Sequence, residues 1–232
     1  MSRVLAIPDL HAPCMRRKFP SFLAHTAKKW KTDKVVILGD VADNHLCSTH
    51  TKEHDALSPV QEVKATRKQI QQVYDLFPDA IVCEGNHDSR PHLRAAEILM
   101  PREYLRDFND VWGTPKWEWV LETTIDGVCY THGTGTSGKN AALSLAMSRM
   151  ESAVIGHVHA FAGVQWVAGP RKAIFGMNCG CGMDENSYGA RYGLTCRWKP
   201  IIGCGVIIDG DEAFYVKMDL GSKGERAKAG RF

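Results

Sequence analysis

Asp9, His11, Asp40, Asn86, His87, His132, His157 and His159 are carboxylate, imidazole and amide side chains, and each follows closely on a short apolar run. Carboxylates, imidazoles and an amide oxygen are the donors that divalent transition ions accept. An imidazole also changes charge near neutral pH and so can deliver or receive a proton. Asp9 and His11 stand two residues apart, as do His157 and His159, so along extended backbone each pair faces one side. Residues 80–88, AIVCEGNHD, put Asn86, His87 and Asp88 directly after an apolar run and a breaking Gly85. Asn86 offers an oxygen to a cation, His87 a proton, and Asp88 a carboxylate to orient that imidazole. Singly, each group also suits a plain strand-to-turn transition. Their recurrence at strand ends, where open α/β sheets gather their ligands, points to chemistry.

Bringing these groups together requires strands that end together. Residues 4–7 (VLAI), 35–38 (VVIL) and 80–83 (AIVC) are apolar runs suited to buried strands. Between them, residues 16–30 carry Phe19, Phe22, Leu23 and Trp30 on a helical face. Residues 58–77 carry Val60, Val63, Ile70, Val73 and Phe77 on another. Ser58, Pro59 and Gln61 supply an N-cap, a first-turn proline and a capping-box partner. This alternation is the βαβ pattern of a parallel sheet. A helix is expected over 91–100, with Arg90 and Arg94 near its start as candidates for binding phosphate oxygens. Residues 117–121 and 125–130 read as a hairpin joined through Thr123, Thr124, Asp126 and Gly127, opening a more antiparallel region with strands over 164–167, 173–175, 201–208 and 213–218. Residues 44–57, containing His45, His50 and His54, suit a solvated loop or a flap over substrate, and the glycine-rich stretch 178–198 a rim.

With 232 residues, 44% of them hydrophobic and 24% charged, the chain suits one soluble domain, placed at residues 1–220. The net charge of +3 is too small to identify a nucleic-acid partner, and part of it sits in the basic segment 221–232, which is expected to be disordered. No apolar run reaches the ~20 residues that span a bilayer, and the N-terminus lacks the apolar core of a signal peptide. A cytoplasmic protein without a membrane partner is therefore expected. The eight cysteines include no CxxC pair. Cys179 and Cys181 with Cys196 and Cys204 have poor spacing for zinc, whereas Cys83 and Cys129 lie within apolar runs as reduced, buried thiols.

Residues 133–140, GTGTSGKN, approach a phosphate-binding loop, with its glycines and Lys139 ahead of a helical stretch. Asn140, however, occupies the position of the hydroxyl residue that would hold magnesium, which makes an NTPase a remote reading. A glycine-rich helix entry still suits a substrate phosphate.

Taken in order, DxH (Asp9, His11), GDxxD (Gly39–Asp43), GNHD (Gly85–Asp88), a histidine before glycine (His132) and GHxH (Gly156–His159) resemble the motifs of the calcineurin-like metallophosphoesterases. The resemblance covers residues 9–159, about two thirds of the chain. It implies an α/β fold, a four-layer α-β-β-α sandwich of two mixed sheets flanked by helices. It also implies two divalent transition ions: one held by Asp9, His11 and His159, the other by Asn86, His132 and His157, with Asp40 between them. Manganese comes first, with iron, zinc or nickel as alternatives. The implied reaction is hydrolysis of a phosphoester by a hydroxide held between the ions, with His87 as general acid, Asp88 orienting it, and Asp43 holding a ligand histidine from behind. Arg90, Arg94 and His45 are the candidate substrate contacts. Members that act on phosphoproteins carry Arg–Gly directly after GDxxD; here Asn44 and His45 stand instead, which argues against such substrates. Phosphodiesters of nucleotides or nucleic acid come first, small phosphomonoesters second. Some members are non-catalytic scaffolds, but the full ligand set and His87 are present here.

Overall fold

The computed structural model describes residues 2–49, 54, 56–193 and 197–220. The basic segment 221–232, His50 and Cys196 therefore lie outside the described residues. Strand β1 (Arg3–Ile7) is followed by α1 (Phe19–Trp30), β2 (Lys34–Ile37), α2 (Pro59–Tyr74), β3 (Ile81–Cys83), α3 (Arg90–Glu97), α4 (Phe108–Trp112) and β4 (Glu118–Val120). Then come β5 (Glu122–Ile125), β6 (Val128–Thr131), α5 (Ala141–Arg149), β7 (Ser152–Ile155), β8 (Ala162–Ala168), β9 (Ala173–Cys179), β10 (Gly203–Ile208) and β11 (Glu212–Lys217). The first sheet runs β11-β10-β1-β2-β3-β4 and the second β5-β6-β7-β9-β8. Both are mixed: β1 to β4 are parallel neighbours while β1 and β10 are antiparallel. In the second sheet β6, β7 and β9 are parallel, with antiparallel β5 and β8 at the edges.

The period of two along the strands sorts the core into layers. Leu5, Ile7, Ile37 and Val82 pack with Phe19 and Leu23 of α1 and Ile70 and Val73 of α2. Their alternates Val4, Ala6, Val36, Leu38 and Cys83 meet Val128, Tyr130, Val154, Phe175 and Met177 of the second sheet. Ala141 and Ala142 of α5 pack with Ile155 on that sheet's outer side. Helices, sheet, sheet and helix make the four layers. The parallel strands β1, β2, β3, β6 and β7 each feed a loop from its C-terminal end, and those loops carry the polar residues singled out above.

Local signals account for most boundaries. Helix α2 opens at the expected capping box, with the Ser58 amide donating to Gln61 Oε1 at 3.1 Å. Helix α1 begins at Phe19 rather than residue 16, because Pro20 suits a first turn and not a helix interior. The expected 117–121/125–130 hairpin is corrected. Residues Glu118–Val120 pair in parallel with β3 in the first sheet, while Glu122–Ile125 forms the true partner of β6 across an Asp126–Gly127 turn. Asp126 and Gly127 both have positive φ (49° and 75°), as a two-residue hairpin turn requires. Among the described residues no helix is long and apolar enough to cross a membrane.

Leu5 is fully buried between the first sheet and its helices. Leu5→Ala should lower unfolding free energy by ~2–5 kcal/mol. Urea denaturation measures this, and a loss well below that range would mean that this layer is not a packed core.

Candidate metal centre

The eight polar residues converge where the two sheets meet. The hub is the Asp40 carboxylate. Its Oδ1 accepts the His87 backbone N–H at 2.8 Å, which leaves Oδ2 facing His132 Nε2 (3.4 Å), His11 Nε2 (3.6 Å) and His87 Nε2 (3.8 Å). Asp9 is fixed in the same manner, both carboxylate oxygens accepting the His157 N–H at 3.0 Å. Such approach needs bare backbone. A side-chain carbon at Gly85 would overlap Asp40, and one at Gly156 would overlap the Asp9 carboxylate.

Two knots of acceptors result. His11 donates Nδ1–H to Asp43 Oδ1 (3.0 Å), so Nε2 carries its lone pair. That lone pair faces His159 Nε2 at 3.1 Å and Asp9 Oδ1 at 3.9 Å, and His159 Nε2 lies 3.2 Å from Asp9 Oδ1. His132 donates Nδ1–H to the Leu38 carbonyl (2.7 Å), and its Nε2 faces Asn86 Oδ1 at 2.9 Å and His157 Nδ1 at 3.2 Å. In both places atoms able to accept lie 2.9–3.2 Å apart, so a proton or a cation must sit between them. Asp9, His11 and His159 form one group with ligand atoms close enough to share an ion, and Asp40, His132 and His157 another. The donor set of nitrogen and oxygen fits a divalent transition ion. Among the described residues no cysteine joins such a group.

Local fields act on these groups in both directions. Burial would raise the Asp40 carboxyl, but His132, His87 and His11 outweigh it and hold the group well below the usual carboxylate range. Burial and the neighbouring His87 lower the His11 pKa, and burial and His132 lower that of His157, favouring neutral rings with a free lone pair. At His132 burial is overcome by Asp40 and Asp9, and at His159 by Asp9, so both are raised.

The backbone reaches this geometry differently from the alternation read off the sequence. His11, Asp40 and His157 have positive φ (47°, 48° and 59°), so DxH and GHxH are turns rather than extended segments. His157 and His159 consequently point into different knots. Left-handed conformations at non-glycine residues cost energy and cluster at functional sites.

Of the two supporting carboxylates, Asp43 takes over the role expected of Asp88 beside its own. Asp88 does not orient His87. It accepts the backbone N–H groups of Gly85 (3.0 Å), Ala42 (3.0 Å) and Val41 (3.3 Å), lacing the loop after β2 to the loop after β3. Adjacent side chains diverge, and the carboxylate that meets His87 Nδ1 is that of Asp43. Its Oδ1 lies 3.1 Å from His87 Nδ1 while also holding His11, as expected for the second aspartate of GDxxD. At His87 burial is outweighed by Asp40 and Asp43, so its pKa is raised. Burial and then Asp40 push the Asp88 carboxyl up to about 7.

Of the candidate substrate contacts, Arg90 stays at the site: its guanidinium lies alongside the His87 ring, Nη1 2.7 Å from Nδ1 and Nη2 2.9 Å from Nε2, and Nη1 donates to the Asp43 carbonyl (2.7 Å). Arg94 instead donates to the Cys47 and Ser48 carbonyls and to Glu97, bracing the loop after Asp43. His45 packs edge-on to Tyr188 with Nδ1 3.8 Å from Asp43 Oδ2, away from the cavity. That cavity, of about 1220 Å³, has Asp40, Asn86, His87, His157 and His159 in its lining. Thr136–Gly138 of the glycine-rich loop line it too, whereas Lys139 is exposed and not among the lining residues. Phe161, two residues past His159, lines it as well, as do Met183 and Trp198 from segments that carry no recognisable motif.

Asp88→Ala would leave the Gly85, Ala42 and Val41 amides without their acceptor. Buried donors left unpaired cost ~1–3 kcal/mol each, so urea denaturation should show a loss of ~2 kcal/mol or more. A neutral result would mean that another group ties the two loops together.

A sequence model of the calcineurin-like phosphoesterase family matches residues 2–161. No curated protein sequence is matched. Among solved structures, vacuolar protein sorting 29 from Cryptosporidium parvum is 13% identical, with 94% of this chain and 96% of that chain covered and a TM-score of 0.44. The nuclease MPE of Pseudomonas putida is 14% identical, with 92% and 87% covered and a TM-score of 0.36. A further solved structure is 12% identical, with 94% and 99% covered and a TM-score of 0.51. At these identities the likeness concerns the fold alone. The family match spans more than half of the chain and takes in every residue of both knots: the chain belongs to the calcineurin-like phosphoesterases.

Proposed function

We propose that the protein is a metal-dependent phosphodiesterase. The observation that carries this reading is the pair of acceptor knots sharing Asp40 at the edge of a large cavity. In this reading Asp9, His11 and His159 hold one divalent ion, Asn86, His132 and His157 hold a second, and Asp40 serves both, with manganese the first choice of metal. Bound there, two divalent ions supply Lewis acidity towards phosphoryl oxygens and make water a nucleophile at neutral pH.

The chain's own residues do the rest. His87 lines the cavity with Nδ1 against the Asp43 carboxylate and carbonyl (3.1 and 3.0 Å), so Nε2, beside Arg90 Nη2 (2.9 Å), is the nitrogen left to donate a proton to the departing oxygen once Arg90 turns to the phosphoryl group. Asp43 stabilises the charged ring before transfer. Arg90 sets a guanidinium beside that ring, where it can pair with a phosphoryl oxygen. A cavity of about 1220 Å³ exceeds the ~300–1,000 Å³ usual for small ligands, which favours a diester with two substituents over a small monoester. Nucleotide or nucleic-acid diesters are the preferred substrates. A hydrolysis panel with manganese, comparing diesters with the corresponding monoesters, separates the two. Faster turnover of monoesters would replace this reading with a phosphatase.

Asp40→Asn should reduce the metal bound after reconstitution more than any other single ligand substitution, because it touches both ions. Elemental analysis checks this; wild-type protein that takes up one ion or none defeats the two-ion reading.

His87→Asn should keep both ions and lose turnover by ~10²–10⁴-fold on alkoxide leaving groups. The loss should shrink with p-nitrophenolate, which scarcely needs a proton. A uniform penalty across leaving groups, or a lost ion, would remove His87 from the acid role.

A further inference from the structure

Away from the metal-ligating end, the cavity is lined by the aromatic rings of Phe161, Trp198 and Tyr215 and by a set of cations. Phe161 and Trp198 face each other with ring centroids 6.1 Å apart and planes tilted by 52°, a wedge rather than a stack. Trp198 is 57% exposed although it is the largest apolar side chain in the lining. The Arg197 guanidinium lies over the Trp198 ring, 5.0 Å from its centroid. Lys199 and Lys217 line the same cavity, against Glu185 as the acid on that side. Flat π-surface, a guanidinium and clustered positive charge match a ligand that is itself flat at one point and anionic at others.

We propose that Phe161, Trp198 and Arg197 form a base-binding subsite. It would receive the nucleobase flanking the scissile phosphodiester, with Lys199 and Lys217 towards the neighbouring phosphate. This inference rests on the phosphodiesterase reading above and narrows its substrate to nucleotidyl diesters. Aromatic rings take every base because each has a π-face, so the subsite selects for a base and not for a sequence. Phe161 lies two residues past His159, the end of the GHxH turn, so the subsite is anchored close to the ligand loop.

Two chromogenic diesters with the same leaving group test this. Thymidine 5′-(p-nitrophenyl phosphate) carries a base, and methyl p-nitrophenyl phosphate does not. For the manganese-loaded full chain, Trp198→Ala should cut the ratio of kcat/KM values, base-bearing over methyl, by roughly 5- to 150-fold, the range that loss of one stacked base implies. Most of the change should be in KM, and Trp198→Phe should retain most of the ratio. An unchanged ratio overturns the subsite. If wild-type protein hydrolyses neither ester, the phosphodiesterase reading fails, and calorimetry then decides the subsite alone. Binding of a phosphorothioate-linked thymidine dinucleotide that Trp198→Ala weakens supports it; absent binding, or binding indifferent to the substitution, overturns it. Repeating the titration with single-stranded oligothymidylate separates the sources of the base: tighter binding supports a strand as the ligand, and equal binding supports a short nucleotide.

Discussion

The site depends on the Asp40 carboxylate being held, nearly fully buried, with one oxygen tied to backbone and the other facing three imidazole nitrogens. A buried carboxylate is tolerable only where neighbours offset its charge. Here His132, His87 and His11 do so, and each comes from a different strand end. The same arrangement keeps those rings turned inwards, since His11 and His132 have each committed Nδ1–H to an oxygen behind them. Rings locked in this tautomer present fixed lone pairs, which is the pre-organisation a metal ligand needs.

The rest of the fold can be understood as the means of bringing those strand ends together. Five parallel strands from two sheets finish at one seam, and the apolar layer between the sheets fixes their separation. The loops then turn through left-handed conformations at His11, Asp40 and His157. Asp88 offsets part of that strain by accepting three amides across two loops, so a group of no direct chemical use makes the geometry of the others possible. Asp43 serves two masters with one oxygen, coupling His11 to His87.

Much of this was legible in the sequence because strand ends announce themselves. Apolar runs closing in GD, GNHD and GHxH mark β2, β3 and β7 and their polar termini, and the capping box at Ser58 marks α2. The partnership of Asp43 with His87 was not legible. The two lie 44 residues apart, and adjacency in GNHD suggests Asp88 instead, whereas neighbouring side chains on a turn diverge. The left-handed turns were hidden because His and Asp rarely adopt positive φ without tertiary contacts to hold it. Glu122–Ile125 was lost in an expected turn because a four-residue edge strand rich in Thr lacks an apolar signature. The cavity wall was also invisible: Phe161, Met183 and Trp198 converge from separate segments that share no spacing.

The central claim is that two ions lie on either side of Asp40. Crystals grown with manganese and measured for anomalous scattering test it most directly. The arrangement predicts two anomalous peaks ~3.5–4 Å apart, one among Asp9, His11 and His159 and one among Asn86, His132 and His157, with Asp40 between them. A single peak, or none at these side chains, would contradict it.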